Sequence, residues 1–240
     1  MPETSAVCRH ALEDGGIARD TIVVFTSDNG GERFADTWPF SGRKTELLEG
    51  GLRVPAIISW PARIRTGHVS EQVTANMDWM PTLLAAAGVA SDPRYPPDGM
   101  NLLPHLAEGA PVVERSLFWR YKSLWQRAAR IGDWKYLKIL DNTFLFNVVT
   151  DPLERANMKE RRPDIYEELT TAWSEWNATT LPEVEHSFTE GFNGSQIADH
   201  LGTPPASQAP DPTLPGSQPP SGQLPSPFAP ARQASGGVDP

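Results

Sequence analysis

Residues 21–31 read TIVVFTSDNGG, a short apolar run carried without a break into an acid, an amide and two glycines. The run from Thr21 to Phe25 is rich in β-branched residues, which is how a strand buried on both faces reads. Asp, Asn and Gly are turn formers, but at the carboxyl end of a strand in an α/β sheet they also stand where ligands gather. Asp28 offers a carboxylate and Asn29 an amide carbonyl, two hard oxygen donors of the kind calcium or magnesium takes. Gly30 and Gly31 let the backbone turn sharply and keep room for a bound group.

The flanking sequence fits that placement. Residues 4–12 set Ala6, Val7, Ala11 and Leu12 at helical spacing, with Gly15 and Gly16 positioned to end the helix. Downstream, PAIISW (55–60) predicts a second buried strand, and DWMPTLLAAAGV (78–89) predicts a helix capped by Asp78, with Pro81 in its first turn and Gly88 at its end. A loop follows from Ser91 to about Pro111. Helix, tight turn and buried strand are α/β grammar, expected over residues 1–110.

From Ser116 the pattern changes. SLFWRY, LWQRAARI, WKYLKIL and TFLFNVV are four aromatic and β-branched runs joined by brief turns, the signature of a small antiparallel sheet. Lys135, Leu137 and Ile139 alternate with Tyr136 and Lys138, so one face is expected to be wet. After Asp151 and Pro152 break the chain, a helix from about Pro163 to Asn177 lines up Ile165, Leu169, Trp173 and Trp176 as a stripe to cover that sheet. This makes a subdomain over residues 111–182. Residues 183–240, rich in Pro, Ser, Gly and Gln from Leu201 onward, predict an extended and mostly disordered tail.

Thirty acidic against 21 basic residues leave a net charge of −9, which argues against nucleic acid or an anionic membrane as partner. No apolar run approaches the roughly 20 residues needed to span a bilayer. The opening MPETSAVCRHALEDGG lacks the apolar core of an export signal, so as written the chain reads as cytoplasmic, and the acceptor patterns at Asn177 and Asn193 carry no weight. The single cysteine, Cys8, excludes an internal disulfide.

Lys44 lies in SGRKTELLEGGLRVPAIISWPARI, where its long stem brings a positive charge to the same rim, able to hold an oxyanion beside a metal. Glu49 and Arg53 read as an ion pair that pins the loop. Trp38 and Phe40 stand near Lys44, where they could line a pocket for an aromatic or sugar ring. Together VVFTSDNGG, Lys44 five residues before Glu49, MDWMPTLLAAAG, DGMNLLPHL, RIGDWKYLKI and LFNVVTDPLERANM resemble the sulfatase family within the alkaline-phosphatase-like group, in order over about residues 6–180.

The resemblance implies an α/β fold: part of a sulfatase-type α/β sandwich, then the four-stranded sheet and helix, then the tail. It also implies hydrolysis of sulfate esters at a calcium site, with a formylglycine made from cysteine or serine as nucleophile. Asp28 and Asn29 would be two calcium ligands, and Lys44 would bind a sulfate oxygen. The partner would be a small-molecule or carbohydrate sulfate ester. The family's Cys-x-Pro-Ser-Arg segment does not occur, since Cys8 is followed by Arg9, His10 and Ala11 and reads as a small apolar residue on a helix. None of His10, His68, His105, His186 or His200 stands in a matching motif. The chain therefore reads as the carboxyl-terminal portion of a sulfatase, inactive by itself and completed by an amino-terminal half. A phosphodiesterase or phosphonate hydrolase of the same superfamily is the enzymatic alternative, disfavoured by Asn29 where those place histidine; a noncatalytic degenerate product is the other.

Overall fold

A computed structural model describes residues 2–32 and 35–183; the tail, His186, Asn193 and His200 lie outside the described residues. Helix α1 (Pro2–Asp14) ends where Gly16 takes φ +69°, a left-handed turn that releases the chain toward the first strand. Cys8 is exposed on this helix rather than packed as an apolar residue. Strand β1 (Val23–Phe25) pairs antiparallel with β2 (Ile57–Ser59), Val24 opposite Ile58. The expectation that both strands are buried on both faces fails, because Val23, Phe25 and Ile57 are exposed. Among the described residues each strand has only the other as hydrogen-bonded neighbour, and only Val24 and Ile58, on the opposite face, are half-buried.

Helix α2 (Glu49–Leu52) was not foreseen; it is a single turn inside EGGL. Helix α3 (Trp79–Ala86) is where the sequence places it and ends at Gly88, φ +69°. Asp78 does not cap it. Its carboxylate reaches back to accept from Ala75 N at 2.6 Å and from Met100 N at 2.9 Å, and it pairs with Arg115, so the acid ties three segments together. The segment expected to be loop contains a further short helix, α4 (Leu103–Ala107), begun by Asn101 Oδ1 accepting from Leu103 N and by Pro104 in its first turn.

Strands β3 (Ser116–Tyr121), β4 (Gln126–Ile131), β5 (Trp134–Ile139) and β6 (Asn142–Asn147) form an antiparallel meander in chain order. Tyr136 stands opposite Ala129 and Leu145, and these three meet Leu169 and Trp173 of α5 (Pro163–Ala178) in one buried cluster. The apolar stripe of α5 thus covers this face as expected. Trp173 Nε1 donates to Trp119 O at 2.9 Å, and Phe118 stacks on Trp176 with centroids 5.5 Å apart.

The other face of the sheet is not wet. Lys135 is fully buried and Leu137 and Ile139 are nearly so, because residues 41–53 lie over them. Gln126 accepts from Leu47 N and donates to Thr45 O, each at 2.9 Å, and Ser41 Oγ donates to Leu153 O at 2.6 Å. Alternation along one strand cannot report a cover supplied by a loop some eighty residues earlier.

Candidate active site

The DNGG turn rests on α2. Gly30 N donates to Gly51 O at 2.9 Å, and a Cβ built on Gly30 would lie 1.8 Å from Gly50 O. Only glycine permits this approach. Within the turn, Ser27 Oγ donates to Asn29 O at 2.8 Å and Asn29 N donates to Asp28 Oδ1 at 3.0 Å, leaving the exposed Asp28 carboxylate facing outward. Asn76 Nδ2 donates to Ser27 O at 3.0 Å and braces the turn from the α3 side.

Lys44 arrives from the far arm of the loop, where its backbone N donates to Gly31 O at 2.9 Å, two residues beyond Asn29. Its ammonium pairs with Glu32 Oε1 at 3.0 Å, and that hydrogen bond, with a smaller contribution from the charge of Asp28, holds its pKa above the usual lysine value. The ammonium is thus held by Glu32 at the surface, within reach of the Asp28 charge.

Under the rim lies a buried ion cluster. Lys135 Nζ is 3.0 Å from Glu49 Oε1 and 2.9 Å from Glu154 Oε1, while Glu154 Oε2 accepts from Glu49 N at 2.6 Å. Glu49 Oε2 also faces Arg53 at 3.9 Å and Arg130 at 4.0 Å. The loop is pinned by Glu49 and Arg53, as the sequence suggests, but the deeper partner is Lys135, a residue no local pattern marks. Burial pushes the Glu49 carboxyl up, and Lys135, Arg130 and Arg53 together override it and hold it below the ordinary value. Glu154 stays raised, by burial and by the neighbouring Glu49 charge, despite Lys135.

A cavity of about 410 Å³ opens beside Asn29, walled by Gly31, Asp36, Trp38, Phe40 and Arg53. Both aromatic residues singled out in the sequence line it. Arg53 contributes a planar cation whose Cζ sits 4.8 Å over the Phe40 ring.

As a cation site, the turn supplies a partial set. Calcium takes roughly six to eight oxygens, and Asp28 and Asn29 bring a carboxylate and an amide of the right hardness. Among the described residues no group of three or more His, Cys, Asp and Glu stands together to complete one.

Residues 9–89 match the family model described as Sulfatase. The chain is 38% identical over 130 residues to the N-acetylgalactosamine-6-sulfatase of Homo sapiens, covering 52% of this chain and 24% of that protein. It therefore spans about a quarter of the length of that curated relative. A solved Bacteroides thetaiotaomicron structure described with the metabolism of multiple glycosaminoglycans aligns with TM-score 0.64 at 19% identity, over 71% of this chain and 42% of that one. The phosphonate monoester hydrolase of Agrobacterium radiobacter aligns with TM-score 0.58 at 21% identity, over 73% and 38%. At those identities the two structures speak for the fold alone, which is the α/β fold of the alkaline-phosphatase-like group. The segment that carries DNGG, Lys44 and α3 is thus the part of this chain that matches the sulfatase family, over residues 9–89.

Proposed function

We propose that this chain supplies the sulfate-binding and part of the cation-binding wall of a sulfuric ester hydrolase. The observation that carries the reading is the joint between two loops: Lys44 N on Gly31 O and Gly30 N on Gly51 O bring a lysine to the rim of an acid and an amide. In this reading Asp28 and Asn29 hold a calcium ion, which when bound would neutralise charge on the ester's oxygens. Lys44 exchanges Glu32 for a sulfate oxygen and stabilises the negative charge that grows there during transfer. The ester's alcohol portion occupies the cavity beside Asn29, where Trp38 offers an exposed ring face. The human relative is an N-acetylgalactosamine-6-sulfatase, so a sulfated amino sugar is the substrate class proposed.

The family's Cys-x-Pro-Ser-Arg segment does not occur in these 240 residues, and among the described residues no further cluster of His, Cys, Asp and Glu completes the cation site, so the chain by itself should turn over no ester. Residues 1–110 form the catalytic portion and 111–182 a subdomain that braces it. The test is a titration of the chain with calcium and N-acetylgalactosamine 6-sulfate, followed by NMR. Shifts at Asp28, Asn29 and Lys44, lost for the sugar in Lys44→Ala and for calcium in Asp28→Ala, are expected. Binding unchanged by both substitutions would overturn the assignment. An aryl phosphonate run in parallel addresses the phosphonate hydrolase alternative, favoured only by the structural likeness.

A further inference from the structure

We infer that Arg53 is a specificity residue: it receives a second anionic group, a sulfate or carboxylate, carried by the same sugar ring whose ester Lys44 holds. The inference rests on the sulfate-ester reading of the site and narrows its substrate class to rings bearing two anions.

The charge balance beneath the cavity points this way. Lys135, Arg130 and Arg53 share the two carboxylates of Glu49 and Glu154, so the cluster carries one positive charge in excess. Lys135 is fully buried between the carboxylates, and Arg130 is mostly buried. Arg53 is the half-exposed member, 3.9 Å from Glu49, and it lines the cavity. With its Cζ 4.8 Å over the Phe40 ring, Arg53 brings a planar fork to the cavity, and two parallel N–H donors match a sulfate or carboxylate.

The rest of the wall fits a ring beside Arg53. Trp38 is 75% exposed yet lines the cavity, which leaves an indole face for the apolar side of a sugar. Asp36 is the other charge on the wall. Its Oδ1 already accepts from Trp38 N at 2.9 Å, which holds the Trp38 backbone and leaves the second oxygen for a hydroxyl or amide N–H of the ring. The volume of about 410 Å³ suits one such unit.

The whole 240-residue chain, with calcium, is titrated with N-acetylgalactosamine, its 6-sulfate and its 4,6-disulfate, and binding is read by calorimetry and NMR. The disulfate is expected to bind on the order of tenfold tighter than the monosulfate. Arg53→Gln should close that gap by weakening the disulfate far more than the monosulfate, and Trp38→Ala should weaken both sulfated sugars alike. Because Arg53 touches Glu49, Arg53→Lys serves as the second variant, keeping the charge without the fork and narrowing the gap in part. Equal binding of the two sulfated sugars to the wild-type chain overturns the role of Arg53 and leaves the ester site standing. A gap that persists in a folded Arg53→Gln does the same. If neither sulfated sugar binds better than N-acetylgalactosamine, the ester site fails and the inference falls with it.

Discussion

Lys135 on the small sheet and Glu49 on the turn beneath the DNGG loop meet at 3.0 Å with both side chains out of solvent. Removing the lysine would leave Glu49 and Glu154 buried side by side. Lys135→Met should therefore cost about 3–5 kcal/mol of stability, measured as a shift in urea midpoint. It should also broaden the NMR signal of Gly30, which sits on Gly50 and Gly51.

The two acids of that cluster should titrate in opposite senses. Glu49, held below the usual carboxylate range, contributes stability that is present above its unfolded value and lost as pH falls through its folded one. Glu154, held above the range, opposes folding when ionised, and acid relieves that cost. Glu49→Gln is accordingly expected to be the more damaging at pH 7. Glu154→Gln should make stability decline earlier on acidification than in the wild type, as seen by chemical denaturation at a series of pH values.

Alkali should act through the sheet. Burial, with Tyr166 beside it, pushes the Tyr136 phenol up to about 12, and Glu154 and Glu49 raise Lys135 against the effect of its burial. For both groups the folded value lies above the unfolded one, so their stabilisation is complete below about pH 10 and lost as pH climbs through the folded values. Tyr136→Phe should give a shallower loss of stability between pH 10 and 12.

Gly30→Ala would drive a methyl group to 1.8 Å from Gly50 O, a backbone atom that can move only with the whole turn. A loss of ~3 kcal/mol or more is expected, together with loss of calcium-induced shifts at Asp28. A mutant that melts like the wild type would show that the two turns are not in contact.

Leu169→Ala tests the cover of the sheet. The side chain is 1% exposed among Ala129, Tyr136, Leu145 and Trp173, so the cavity left behind should cost about 2–5 kcal/mol, measured by thermal or urea unfolding. The 6-sulfate titration should keep its Lys44 dependence wherever the mutant remains folded.

Local pattern was enough for the strands, for α3 and for α5, because each is coded by its own period and its own glycine or proline stops. It was enough for the turn at Asp28 and Asn29, where residue type and strand end coincide. It failed where contacts are remote. Lys135 reads as one more polar residue in an alternating strand, since its two carboxylates come from positions 49 and 154. Asp78 reads as a cap because its true partners, Met100 and Arg115, lie more than twenty residues away. Helices α2 and α4 are too short to show a period, and Gly-Gly in one of them argues against a helix.

Gln126 grips the backbone on both sides of Glu46, through Thr45 O and Leu47 N, from a strand that begins eighty residues downstream of Lys44. A nonsense codon anywhere between α4 and β4 would therefore yield a product in which Asp28, Asn29 and Lys44 all survive while the arm bearing the lysine has lost its anchor. Scoring the DNGG and Lys44 motifs alone would pass such a gene as intact; its translation product would not hold the lysine in place.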